Sequence, residues 1–163
     1  MSLVIFRLPL NVKCFFSSGK IYITGPQGVV LLNINNNFVT KSGILIFNKS
    51  LSHTENLLVK QALLGVSTSY TTELKLNGIG YRVEKNKNKL LIKLGYSHLI
   101  KCIIPNDVIV KCLKNKIHLR SANLFMLKMF SSKIRKFRFP NQYKGNGILY
   151  ENEVIIKKEI KKN

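Results

Sequence analysis

The sequence predicts an α+β fold of two similar domains, residues 1–70 and 71–163, each a small antiparallel sheet packed against one helix. Three observations predict it. Short strand-like runs broken by turn residues open each half. One helical stretch with an apolar stripe follows in each half. A weak internal repeat relates the halves: Ile21-Tyr22-Ile23-Thr24-Gly25 with Val29-Val30 stands 70 positions before Leu91-Ile92-Lys93-Leu94-Gly95 with Leu99-Ile100. A sheet covered on one face by a helix satisfies the burial requirement of a layered domain, and one long sheet carrying both helices is the alternative.

In the first half, residues 11–16 and 20–24 read as strands flanking Ser17-Ser18-Gly19, a hairpin signal. Gly25-Pro26-Gln27-Gly28 is a second turn, and residues 29–34 and 44–47 are further strands. A helix is expected over 55–70. Its start is capped either by Thr54, or by Ser52 with Glu55 three residues on as a capping box. Leu58, Val59, Ala62, Leu63, Val66 and Tyr70 fall on one face, while Gly65 and Ser67-Thr68-Ser69 weaken the far end.

The second half repeats the plan. Residues 73–83 and 89–94 form a hairpin around the polar loop 84–88, with Gly78 and Gly80 easing a bulge in the first strand. Gly95-Tyr96-Ser97-His98 turns the chain into a strand at 99–104, and Pro105-Asn106 turns it again. Residues 107–113 and 116–120 are strands, and a helix follows over 122–137 with Ser121 as its cap. Strand alternation points Ile117 and Leu119 inward and sets Lys116, His118 and Arg120 in a basic row on the other face. Met126, Leu127, Phe130, Ile134 and Phe137 are the core stripe of the last helix. Leu124, Phe125 and Met129 are left on other faces, for a neighbouring protein or as a by-product of codon bias.

Charge sets the class of partner. Lys and Arg number 27 against 7 Asp and Glu, a formal net charge of +20 in 163 residues. So large an imbalance, spread along the chain, points to a polyanion, above all nucleic acid. The hydrophobic share of 45% provides a core, so the cations are placed by folded elements rather than by a disordered tail. Five of the basic residues are Arg and the rest Lys, a balance suited to neutralising phosphate rather than reading base edges.

Other chemistries find few parts. Cys14, Cys102 and Cys112 form no CxxC pair and leave one thiol over in any disulfide scheme, which fits a reducing compartment. Cys102 and Cys112 read as core residues, and no metal-ligand spacing is present. No nucleophile elbow, triad order or P-loop appears, and Glu151 and Glu153 read as charge balance rather than an acid/base pair. No catalytic residue, cofactor or metal is therefore expected, and no enzyme. Residues 1–10 carry neither the features of a secretory signal nor those of a transit peptide, and no stretch approaches the length of a membrane span.

The binding candidate lies in the last third. Tyr143-Lys144-Gly145-Asn146-Gly147 has an aromatic, a cation and two glycines that permit close backbone approach. Lys133, Arg135, Lys136 and Arg138 precede it, and Lys157, Lys158, Lys161 and Lys162 follow it. Phosphate contacts from such cations supply affinity, and aromatic stacking with glycine amides supplies geometry on RNA.

The segment Phe137-Arg138-Phe139-Pro140-Asn141-Gln142-Tyr143-Lys144-Gly145-Asn146-Gly147-Ile148-Leu149-Tyr150, with Glu153-Val154, resembles the C-terminal signature of the bacterial-type ribosomal large-subunit protein six family. That signature carries Tyr-Lys-Gly-Lys-Gly followed by an aliphatic residue. Leu76-Asn77-Gly78-Ile79-Gly80-Tyr81-Arg82 is similar to the family's Val-Gly-Val-Gly-Tyr-Arg strand, and Leu94-Gly95-Tyr96-Ser97-His98 to its Leu-Gly-Phe-Ser-His turn. Asn146 stands where the signature has Lys, and Leu99 where the turn has Pro. The resemblance implies two similar α+β domains and a structural role on large-subunit rRNA near the sarcin-ricin region and the stalk base. It also implies neighbouring large-subunit proteins and translation factors close by. It places rRNA contact on Tyr143, Lys144, Gly145 and Gly147, to which the residue reading adds Arg135, Arg138, Asn146, Lys157, Lys158, Lys161 and Lys162. A free-standing RNA-binding regulator is the alternative. The wealth of Lys, Asn and Ile with only two Ala suits an AT-rich organelle genome, so the expectation is a mitochondrial, organelle-encoded protein, with a plastid as the rival location.

Overall fold

A computed structural model describes residues 4–17, 20–34, 38–41, 43–47 and 51–159. Among them are thirteen strands and two helices, an α+β fold dominated by antiparallel strand pairing. The chain divides into two compact units. Met1–Tyr70 with Ser121–Leu124 forms one, and Thr71–Arg120 with Phe125–Asn163 the other.

The first unit holds two three-stranded sheets and helix α1, His53–Thr68. Strands β2 (Lys13–Ser17), β3 (Lys20–Gly25) and β4 (Gly28–Leu32) make a meander. The β2–β3 register runs to Ser17 opposite Lys20, while Ser18 and Gly19 of the expected turn lie outside the described residues. Gly25 faces Gly28, so Pro26 and Gln27 alone make the β3–β4 turn. The second sheet runs β1 (Val4–Arg7), β6 (Ile44–Phe47), β5 (Phe38–Lys41). Neither β1 nor β5 follows from alternation. β1 carries Arg7 and precedes Pro9, and both are short edge strands that depend on β6 for pairing.

Ser52 starts α1. Its hydroxyl accepts from the Glu55 amide at 3.3 Å, and the Glu55 carboxylate accepts from the Ser52 amide at 2.8 Å, a complete capping box. The helix ends before the expected limit, because Tyr70 begins the next strand. Val59, Ala62, Leu63 and Val66 are buried against β3 and β4 together with Ile21, Ile23, Leu45 and Phe47, whereas Leu58 is exposed. Gly65 is required by proximity rather than tolerated as a flaw. A Cβ there would lie 2.0 Å from the carbonyl oxygen of Ala122, within the same unit.

The second unit also holds two sheets. Strands β11 (Ile109–Leu113), β12 (Lys116–Ser121), β7 (Tyr70–Asn77) and β13 (Gly147–Tyr150) form one in that order. Strands β10 (Ile100–Ile103), β9 (Lys89–Lys93) and β8 (Arg82–Asn86) form the other. The long strand expected over 73–83 is in fact two strands in different sheets. Gly78-Ile79-Gly80 is a turn between β7 and β8, not a bulge; Gly80 has φ +74° and the Tyr81 amide bonds back to the Gly78 carbonyl at 3.3 Å. The expected loop 84–88 shrinks to Lys87-Asn88, since Asn86 pairs directly with Lys89.

Helix α2 is Leu124–Lys136, with Leu127, Phe130 and Ile134 buried and Phe125 and Met129 exposed. Ser121 does not cap it directly. It is the last residue of β12, and its hydroxyl accepts from the Asn123 amide at 3.1 Å, just ahead of the helix. Cys14 and Cys102 are buried, Cys112 is half-buried, and none is in a disulfide. Burial pushes the Cys14 thiol up to about 11, so it is an inert packing group.

Gly65→Ala tests the close approach in the first unit. In an open helix this change stabilises by about 1 kcal/mol. Here the new methyl meets backbone that cannot swing aside, so a net destabilisation of about 1–3 kcal/mol is expected in urea unfolding. A gain in stability is the contrary result.

Candidate nucleic-acid interface

The candidate loop leaves α2 and returns as β13. Its frame is made by the loop itself and by Asn141 above all. The Asn141 amide donates to the Asn146 carbonyl at 2.9 Å, and the Asn141 carbonyl accepts from the Gly145 amide at 2.8 Å. The Asn141 side-chain Oδ1 accepts from the amides of Tyr143 at 2.7 Å and Lys144 at 3.3 Å. Asn77, at the end of β7, donates its side-chain amide to the Gly145 carbonyl at 3.0 Å.

The glycines answer separate needs. Gly145 has φ +70°, a left-handed conformation unfavourable for a residue with a Cβ. Gly147 has φ +148°, and a Cβ there would sit 2.5 Å from Pro140 Cα. Tyr143 and Lys144 are exposed at the tip, Asn146 is half-buried, and Gly145 and Gly147 are buried.

The structure divides the predicted cations into two groups. Arg138 is committed within the fold. Its guanidinium stacks on Tyr96 at 4.7 Å and on Tyr81 at 5.7 Å, and Nη1 donates to the Leu94 carbonyl at 2.7 Å. Its own carbonyl accepts from the Ile148 amide of β13 at 3.0 Å. Arg135 lies over Tyr150 at 5.1 Å, and its Nη2 meets Glu153 Oε1 at 2.5 Å. The other Glu153 oxygen accepts from the Tyr150 amide at 3.2 Å. Lys144, Lys157 and Lys158 are exposed, without an ion-pair partner among the described residues. Within the tail, the Lys158 amide donates to the Gln142 carbonyl at 3.1 Å. Lys161 and Lys162 lie outside the described residues.

A cavity of about 350 Å³ lies beside the loop, lined by Lys136, Lys144, Arg138, Asn141, Asn146 and Tyr96 among others. Tyr96 and Asn141 were not among the predicted contact residues. Their signal was the turn and the signature in which each stands; Tyr96 acts through contacts distant in sequence, whereas Asn141 acts through bonds within the loop.

The basic row of β12 is not a free cationic face. Glu73 of β7 meets Lys116 Nζ at 2.7 Å and His118 Nδ1 at 3.1 Å. The hydrogen bond from Lys116 chiefly lowers the Glu73 pKa, with help from nearby positive charge and against the opposing effect of burial. The alternation itself holds: Ile117 and Leu119 are fully buried. Among the described residues, no three or more His, Cys, Asp or Glu side chains gather to hold a metal ion, and no helix is long and apolar enough to cross a membrane.

Similarity to known proteins identifies this architecture. The sequence pattern of the family described as ribosomal protein L6 matches residues 77–151. A large ribosomal subunit protein uL6 from Chromohalobacter salexigens is 34% identical over 96% of this chain and 94% of its own length. Those of Mycoplasmoides gallisepticum and Mycoplasma genitalium are each 36% identical over 94% of this chain, and over 91% and 90% of their own lengths.

The chain belongs to the ribosomal protein L6 family. The family is structural and not enzymatic, in keeping with a site built of hydrogen-bonded backbone, tyrosines and cations. The L6 match begins at Asn77 and ends at Glu151, so it spans the loop, the Arg138 cluster and strand β13.

Two measurements probe this site. Gly147→Ala is expected to destabilise the second unit by about 1–3 kcal/mol, since a Cβ would strike Pro140 backbone at a positive φ; an unchanged denaturation midpoint contradicts it. For Glu73 the sign is fixed by its lowered pKa. Its stabilising effect is full above the unfolded carboxylate value and is lost as pH falls through the lower folded value. Glu73→Gln should therefore be less stable than wild type near neutral pH, with the gap closing below about pH 4.5 in a pH series of urea unfolding. A gap that widens toward acid is the opposite of this expectation.

Proposed function

We propose that the chain is a structural constituent of the large ribosomal subunit, gripping large-subunit rRNA with the 141–147 loop and the lysines beyond β13. One observation carries the reading: the loop is fixed by its own hydrogen bonds while Tyr143 and Lys144 stay exposed at its tip. A rigid tip with an aromatic face and a cation suits a folded RNA, where phosphate contact gives affinity and stacking gives register. The net charge of +20 supports the same partner. Arg135 and Arg138 then act as positioning residues, holding β13 and the loop, while Lys144, Lys157 and Lys158 meet phosphate.

The resemblance to the family supports a contact near the sarcin-ricin region and the stalk base, beside other large-subunit proteins and within reach of translation factors. The Lys-, Asn- and Ile-rich composition supports a mitochondrial, organelle-encoded member, with a plastid member as the alternative.

Lys144→Glu provides the test. The variant should fold with an unchanged denaturation midpoint, since the side chain is exposed. It should bind large-subunit rRNA more weakly and flatten the log–log salt dependence by about 0.7–0.9 for the lost phosphate contact. It should also be depleted from large subunits in a moderate-salt sucrose gradient of the source organelle. Equal rRNA affinity and equal incorporation for Lys144→Glu and Tyr143→Ala remove the loop from the interface.

A further inference from the structure

We infer that the RNA-binding surface extends past Tyr96 on to the outer face of the β8–β9–β10 sheet, where Arg82 and Lys93 together receive a second backbone phosphate. This rests on the rRNA reading above and adds a contact outside the loop.

The register carries the argument. Arg82 and Lys93 are directly opposed on neighbouring antiparallel strands. Side chains so placed have Cβ atoms roughly 4.5–5.5 Å apart, and like charges there destabilise the sheet. Both residues are exposed, and neither has an ion-pair or hydrogen-bond partner among the described residues. The one carboxylate on this stretch of the face, Glu84, is opposed to Leu91 rather than to either cation. Lys101 also faces Leu91, from the β10 side, and adds a third positive charge. A face that served only to meet water would set Glu84 across from a cation and gain from the pairing. An RNA phosphate between Arg82 and Lys93 instead converts their repulsion into attraction on both sides.

Geometry joins this pair to the loop. Arg82 and Lys93 line, together with Glu84, a cavity of about 370 Å³ whose wall is Tyr96 and His98, and the two cations outnumber the one carboxylate there. Tyr96 also lines the cavity that holds Lys136 and Lys144, so one ring borders both. That ring is braced: its hydroxyl donates to the Phe137 carbonyl at 3.2 Å, Arg138 stacks on it, and His98 lies nearly parallel with ring centres 6.1 Å apart. A fixed aromatic wall between two cationic recesses fits a run of RNA backbone with a base laid against the ring.

The experiment uses the full chain and, as probe, transcribed large-subunit rRNA of Mycoplasmoides gallisepticum, titrated across KCl concentrations. Arg82→Gln with Lys93→Gln should weaken binding and flatten the salt dependence by about 0.7–0.9. Lys93→Glu creates an opposed ion pair with Arg82, so it should raise the melting temperature while weakening binding. That divergence is one a merely structural role does not produce. If both sheet variants bind as wild type while Lys144→Glu binds weakly, the extension is wrong and the loop reading stands. If the wild-type chain itself shows no salt-dependent binding, both fall.

Discussion

The second unit is organised around one side chain. Arg138 stacks on two tyrosines, donates to the Leu94 carbonyl, and offers its own carbonyl to β13. Tyr81 comes from the Gly-Ile-Gly-Tyr-Arg stretch, Leu94 and Tyr96 from the Leu-Gly-Tyr-Ser-His stretch, and Arg138 from the start of the loop signature. Three segments far apart in sequence are thus one cluster in space. A guanidinium suits this duty better than an ammonium, because it is planar and weakly hydrated and can stack and donate at once. Losing it leaves two ring faces and a carbonyl without their partner, and loosens both borders of the loop.

This arrangement separates the cations by type. Arg135 and Arg138 face tyrosine rings, and Arg135 also holds the Glu153 carboxylate. The exposed positive charge near the loop is lysine: Lys136, Lys144, Lys157 and Lys158. Lysine is a strongly hydrated point charge on a flexible stem, which accommodates phosphate without dictating sequence. The glycines complete the division, since Gly147 lets Pro140 pack against backbone and Gly145 supplies the left-handed bend.

Much of the fold was legible where the signal is local. The Ser52–Glu55 box needs residues three apart, and the burial of Ile117 and Leu119 needs only strand alternation. Most of what failed was non-local. Strands β1, β5 and β13 exist because a partner strand offers hydrogen bonds, and four residues carry too little pattern to announce that. The apparent strand over 73–83 was divided by Gly78-Ile79-Gly80, whose role as a junction depends on Tyr81 folding back over Gly78. Glu73 was invisible as the counter-charge of the β12 row because strand order, not sequence proximity, brings it to Lys116 and His118. At the loop, composition marked a cation-rich segment, but only packing separates its committed arginines from its exposed lysines.

The self-contained bonding of Asn141 bears on kinetics. Four hydrogen bonds from one residue assemble the turn before any partner arrives. On the proposed reading, a nucleic acid docking there would meet a preorganised surface, so little ordering entropy would remain to be lost at encounter. Association is then governed by diffusion and long-range electrostatic steering rather than by coupled folding, and selectivity among docked structures resides in dissociation rates.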